Sequence, residues 1–165
     1  MTITAEAGCR IARPPEAVVR VILDPAKAPL WNSGLERFEV VAGASGQVGA
    51  VGLLHYRQGG RCYVMEDRLL VADPGERYVS RVRGNGLAAH VETLLAPSGD
   101  GGTLVTVRWH GRGTRPLVWL MLPFMRRTVM RGLQRDLGKL RDVVEGTERA
   151  PIDQGDGSTD VPETR

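Results

Sequence analysis

Only two cysteines stand in the 165 residues, Cys9 and Cys62. They lie far apart and match no metal-ligand spacing, which argues against a zinc site. With no export signal beside them, both read as reduced thiols serving as small buried hydrophobes in a cytoplasmic protein. Long apolar runs are missing too. The longest, residues 117–125, contains Pro123 and falls short of the about 20 residues that cross a bilayer. The opening Met1-Thr2-Ile3-Thr4-Ala5-Glu6 has neither a basic flank nor an apolar stretch, so no signal peptide is expected. No phosphate-cradling loop is present, because Gly84-Asn85-Gly86 is a turn with no helix after it. The sequence therefore suggests neither a metal nor a cofactor, and it has no internal repeat. A formal charge of +3 is too mild to imply nucleic acid, and no surface of interleaved aromatic and basic residues appears.

What is present is an ordinary globular composition, 42% hydrophobic and 25% charged, with 21 glycines that suit tight turns between short strands. The length fits one domain with a sizeable core, here placed at residues 1–146. Residues 147–165 are polar, rich in Pro, Gly, Ser and Asp, and are expected to form a disordered tail. That tail is acidic, so the globular part is more basic than the total suggests.

Residues 3–11 alternate, with Ile3, Ala5, Ala7, Cys9 and Ile11 on one side: a half-buried strand. Arg13-Pro14-Pro15-Glu16 stops it and opens a helix over residues 15–23, since Pro is preorganised for the first turn and Glu meets the positive helix end. Asp24-Pro25 is expected to cap a second short helix that ends near Trp31. Six further strands are expected near residues 35–42, 51–57, 62–72, 77–83, 88–96 and 103–110, separated by Gly, Pro, Asn and Asp turns. Short connections make neighbours antiparallel. Residues 116–145 then read as one long amphipathic helix, with Leu133, Leu137, Leu140 and Val144 in its apolar stripe. A helix of that length must bury its stripe, and the strands before it are the partner on offer. One long helix held by one curved sheet leaves a cavity between them.

Period-two alternation sorts each strand into two faces. One collects Leu54, Tyr56, Tyr63, Met65, Asp67, Tyr78, Ser80, Val91, Thr93, Val107 and Trp109. The other collects His55, Arg57, Glu66, Arg68, Arg81, Arg83, His90, Glu92, Arg108 and His110. The charged face meets water, so the three histidines are expected in cross-strand charge pairs rather than at an active site. A β-bulge in the strand at 62–72 would exchange the faces and turn Glu66 and Arg68 inward and Asp67 outward. The inward set is too polar for a plain core. Either the tyrosines place their hydroxyls at the rim and Asp67 sits at a strand end, or the face lines a wet pocket with a few polar anchors.

The segment Ile11-Ala12-Arg13-Pro14-Pro15-Glu16-Ala17-Val18, with Asp24-Pro25, Trp31-Asn32, Gly60-Arg61, Asp73-Pro74 and Gly102-Thr103, resembles the SRPBCC (START-like, helix-grip) superfamily. The closing Leu122-Pro123-Phe124-Met125-Arg126-Arg127, followed by Asp136-Leu137 and Leu140, resembles its polyketide cyclase/dehydrase branch. The resemblance spans residues 3–145. It implies an α+β helix-grip fold: a seven-stranded antiparallel sheet wrapped around a long C-terminal helix, with two short helices after the first strand. It also implies a hydrophobic small-molecule ligand, with either cyclisation or dehydration chemistry or ligand carriage alone. Aromatase/cyclase members of that family are thought to use an inward Arg, and the face assignment here puts none inside.

Two readings follow. In the first, the chain is a cofactor-independent polyketide cyclase, aromatase or dehydratase that folds a poly-ketone in a shaped cavity. Asp67 is then the candidate base or acid, and Tyr56, Tyr63 and Tyr78 are candidate donors. Trp31, Phe38, Leu54, Met65, Ser80, Val91, Thr93, Val107, Trp109, Met121, Phe124 and Met125 are candidate ligand contacts. In the second, the chain is a non-catalytic carrier or sensor of a lipid or other hydrophobic ligand, and Asp67→Asn is tolerated. Arg127, Arg131, Arg135 and Lys139 recur every four residues and share one helix face. That row is either simply solvated or a dock for an acyl carrier protein or an anionic membrane surface.

Overall fold

The alternating segments form seven strands: β1 (Thr2–Ile11), β2 (Leu35–Ala42), β3 (Val51–Gln58), β4 (Arg61–Asp73), β5 (Arg77–Gly84), β6 (Leu87–Pro97) and β7 (Thr103–Gly113). They pair antiparallel in one open sheet of order β1-β7-β6-β5-β4-β3-β2. Three helices complete the chain: α1 (Pro15–Ile22), α2 (Ala28–Trp31) and α3 (Pro116–Gly146). The computed structural model describes residues 2–114 and 116–146, with the backbone alone for 116–124. The expected tail at 147–165 lies outside the described residues. The strand count and order, the two short helices after β1 and the long closing helix are those of the helix-grip fold.

Each helix start has a local cause. Pro14 is extended and Pro15 takes the first helical position of α1, where a missing N–H costs nothing. Ala17, Val18 and Val21 fall on one side of α1 and are buried. Asp24 accepts a hydrogen bond from the Ala26 N–H at 3.0 Å, but the chain makes a turn there and α2 begins only at Ala28. Asp24 thus closes a turn before the helix instead of capping the helix itself.

The main core joins α1 and the second half of α3 to the sheet. Ile11, Val18, Val105 and Leu140 are fully buried, and Leu137 and Val144 pack with them. Polar ties fix the same end. The Glu145 side chain accepts the Ala12 N–H at 2.9 Å, and the buried Thr103 hydroxyl donates to the Arg13 carbonyl at 2.7 Å. A smaller core of Ala28, Leu35, Leu54 and Met65 closes the far end under β2 and β3.

β4 does contain a bulge, between Leu69 and Val71. It lies after Asp67, so pairing from Arg61 to Arg68 against β3 is continuous and Asp67 stays opposite Gly52. The exchange of faces affects only the end of the strand, where Ala72 pairs with Tyr78 and packs against the main core.

The outer face carries the charge. Arg77, Glu92, Arg108 and Glu6 link four strands through contacts of 2.7, 3.5 and 2.6 Å. Both arginines hold the Glu92 carboxyl below its usual range, Arg77 chiefly by its hydrogen bond. His55 meets Glu39 at 3.3 Å and His110 meets the Thr4 hydroxyl at 3.2 Å. His90 stands opposite His110 on that outer face. Cys62 is exposed rather than buried, because it sits near the β3–β4 turn opposite Arg57.

Leu140 joins helix to sheet with no polar help, so Leu140→Ala is expected to cost about 2–5 kcal/mol in urea unfolding. The exposed Arg141→Ala on the same helix should stay within about 0.5 kcal/mol of the parent.

Candidate functional site

A cavity of about 350 Å³ lies between the inner face of the sheet and α3. That volume falls in the range of small-molecule sites, about 300–1,000 Å³. Its floor comes from alternate residues of β3 to β7: Leu54 and Tyr56, Met65 and Asp67, Ser80 and Val82, Val91 and Thr93, Val107 and Trp109. Leu133, Asp136, Leu137 and Leu140 of α3 form the roof, and Trp31, Asn32 and Phe38 close one side.

Two glycines make the room. A Cβ on Gly52 would lie 1.9 Å from the Phe38 ring, and one on Gly111 would lie 1.9 Å from the Trp109 ring. Each aromatic ring therefore occupies the space that a side chain at the glycine would take. Gly52 is also the residue opposite Asp67, so the floor beside that carboxyl has no side chain of its own.

Asp67 is the most perturbed acid. Burial raises its pKa from 3.8 to about 6, and the Ser80 hydroxyl, standing opposite Leu69 on the next strand, pulls the other way. One carboxylate oxygen, Oδ1, is buried with no hydrogen-bond partner among the described residues. The Trp31 indole Nε1 is in the same condition. Tyr56 is held by Asn32, whose Nδ2 donates to the Tyr56 Oη at 3.1 Å. Burial pushes the Tyr56 hydroxyl up to about 12, with smaller contributions in the same direction from Tyr63, Asp136 and Asp67, so it remains protonated. Asp136 accepts the Ser33 N–H at 3.1 Å and Lys139 donates to the Ser33 hydroxyl at 3.0 Å, so α3 holds the α2–β2 turn beside the cavity.

Of the residues singled out from sequence, Asp67, Tyr56, Tyr78, Trp31, Phe38, Leu54, Met65, Ser80, Val91, Thr93, Val107 and Trp109 line this one cavity. Their positions do not all suit one role. Tyr78 is buried, and its hydroxyl accepts the Gly75 N–H at 3.4 Å, toward the β4–β5 turn. Tyr63 stacks on Tyr56 with ring centroids 5.3 Å apart, and its hydroxyl donates to Gln58 at 3.1 Å outside the cavity lining. Met125 is exposed and does not line the cavity. The side chains of Met121 and Phe124 lie outside the described residues. Asn32, Gly52 and Asp136 belong to the site and were not among the expected contacts. Asp136 had a readable signal, an acid between Leu133 and Leu140 within the apolar stripe of a helix. Among the described residues no group of His, Cys, Asp and Glu could hold a metal ion, and no helix is long and apolar enough to cross a membrane.

The raised pKa has a consequence for stability. A carboxyl that holds its proton better when folded contributes fully below pH 3.8, and that contribution is lost as pH rises through about 6. Asp67→Asn is therefore expected to be more stable than the parent at pH 7.5, by up to about 3 kcal/mol. Urea unfolding at pH 7.5 and pH 4 checks this, since the gain should shrink at the lower pH.

Residues 2–145 match the family described as "Polyketide cyclase / dehydrase and lipid transport". No curated protein matches the chain in sequence. Among solved structures, the Zhui aromatase/cyclase from a Streptomyces species superposes with a TM-score of 0.76 at 17% identity, over 91% of this chain and 98% of that one. A START superfamily protein from Mycobacterium smegmatis gives 0.71 at 15% identity, over 87% and 98%. A protein from Chromobacterium violaceum gives 0.67 at 23% identity, over 86% and 96%. At these identities the structures speak for the fold alone. The family match covers nearly the whole described chain and agrees with the sheet, the gripped helix and the cavity between them, so the chain belongs to the polyketide cyclase/dehydrase and lipid transport family.

Proposed function

We propose that this protein binds a hydrophobic small molecule in the sheet–helix cavity and acts on it as a cofactor-independent cyclase or dehydratase of poly-ketone substrates. The observation that carries the reading is Asp67, a carboxyl of the cavity lining that burial lifts to a pKa of about 6 and whose Oδ1 has no partner among the described residues. Aldol cyclisation needs a base that takes a proton from the carbon between two carbonyls, and an acid that returns a proton to the new alkoxide. A carboxyl near pKa 6 can serve in both directions at neutral pH. Tyr56, kept protonated and oriented by Asn32, is the donor for the developing enolate oxygen. The flat rings of Trp109 and Phe38 give the substrate walls that fold it toward ring closure. Loss of water from the aldol product uses the same groups again: Asp67 takes the remaining α-proton, Tyr56 supports the enolate oxygen, and the proton on Asp67 then goes to the departing hydroxyl, which leaves as water. The family description and the similarity to an aromatase/cyclase support this reading.

The same family description includes lipid transport, and a carrier needs only the cavity. In either case the partner surface we assign is the row Arg127, Arg131, Arg135 and Lys139. Its members are all exposed, which suits an acyl carrier protein or an anionic membrane surface met in the cytoplasm.

The two readings separate by experiment. Native mass spectrometry of protein purified from its producing cells, with extraction of what co-purifies, should return a polycyclic or poly-ketone compound. With that compound's open-chain precursor as substrate, Asp67→Asn is expected to lose at least about a hundredfold in kcat while still binding. Recovery of a fatty acid or phospholipid, with Asp67→Asn as active in transfer as the parent, would establish carriage in place of turnover.

A further inference from the structure

The polar groups of the cavity carry one sign. Asp67 and Asp136 line it from opposite walls, and no Arg, Lys or His stands among the described lining residues. Two buried polar atoms are left without partners, the Asp67 Oδ1, an acceptor, and the Trp31 Nε1–H, a donor. Three other polar side chains of the cavity are engaged within the protein: Tyr56 is held by Asn32, Tyr78 by Gly75, and Asp136 by Ser33. An unpaired buried donor or acceptor is costly, and a ligand that pairs it recovers that cost. A bound carboxylate would set a third negative charge among apolar walls with no cation to meet it.

From this arrangement we infer that the cavity selects ligands offering a hydrogen-bond donor to Asp67 and an acceptor to Trp31, and that it excludes free carboxylates. The inference rests on the cavity being a ligand site and narrows the substrate class. An enol or phenol hydroxyl near a carbonyl satisfies both atoms. A fatty acid carboxylate can accept from Trp31 but offers Asp67 no donor and brings a like charge beside it.

The test uses three probes of one shape: 2-naphthol, 2-methoxynaphthalene and 2-naphthoate, titrated into the full chain at pH 7.5 by calorimetry. Naphthol is expected to bind about tenfold more tightly than the methoxy compound, which lacks the donor. It should bind about a hundredfold more tightly than naphthoate. Asp67→Asn should bring naphthol and naphthoate within about tenfold of each other. A second readout needs no variant. The titratable groups facing the cavity are Asp67, Asp136, Tyr56 and Tyr78, and burial lifts the Asp67 carboxyl to about 6. Naphthoate binding to the parent protein should therefore improve from pH 7.5 to pH 5.5 while naphthol binding changes little. Naphthoate binding as tightly as naphthol at pH 7.5 would overturn the selection and leave the cavity reading intact. Failure of all three probes to bind would overturn the cavity reading and the selection with it.

Discussion

Much in this molecule depends on how the C-terminal part of α3 is seated. Leu137, Leu140 and Val144 press against Ile11, Val18 and Val105, where the strands before and after the long loops come together with α1. The polar ties reinforce the same end. Glu145 takes the Ala12 N–H where β1 turns into α1, and Thr103 holds the next carbonyl. One turn earlier along α3 the contact changes character. Leu133 and Asp136 face the cavity, and the helix touches the α2–β2 turn through Ser33. Between that seated end and the inner face of the sheet lies the cavity, roofed by Leu133, Asp136, Leu137 and Leu140.

Much of this was readable from the chain. Strict alternation in residues 3–11 and 103–110 placed β1 and β7, and the two-residue period sorted Asp67 inward without any structural input. The repeat Leu133, Leu137, Leu140 and Val144 identified the gripping stripe. What escaped has physical causes. Period-two reasoning assigns a face to a side chain and says nothing about a residue that lacks one, so Gly52 and Gly111 carried no signal. Their role lies in the Phe38 and Trp109 rings laid over them, and Phe38 stands on the neighbouring strand. Tyr63 and Tyr56 share a face and stack, yet one hydroxyl turns to Asn32 and the other to Gln58, a choice made by loop residues that no periodicity sees. The bulge in β4 was conceivable from the length of the strand. Its position three residues after Asp67 decides which acid faces the cavity, and that depends on cross-strand register.

The outer face obeys a different rule from the inner one. There, charges pair where strands allow it, as in the Arg77–Glu92–Arg108–Glu6 chain, and such exposed pairs contribute little each. In the adjacent row Arg68 stands directly opposite Arg81, a like-charge placement that disfavours the pairing by a fraction of a kcal/mol. The sheet tolerates this because its stability comes from the inner face and the seated end of α3.

The inner face tolerates something more expensive. A carboxyl with an unpaired oxygen and an indole with an unpaired N–H sit where apolar residues would fold better. Local rules of folding are most often broken where function requires it. A carrier of purely apolar molecules has no need of either group, since apolar walls suffice for retention. A protein that must grip an oxygen at each end of a short span, and move a proton between carbon and oxygen, needs an acceptor and a donor held apart with little other demand on them. Asp67 and Trp31 are the two described side chains of the cavity that keep a buried atom without a partner, and Gly52 opposite Asp67 makes room for the Phe38 ring. Those two unpartnered atoms are what the cavity holds at a cost to folding, and the proposed chemistry rests on them.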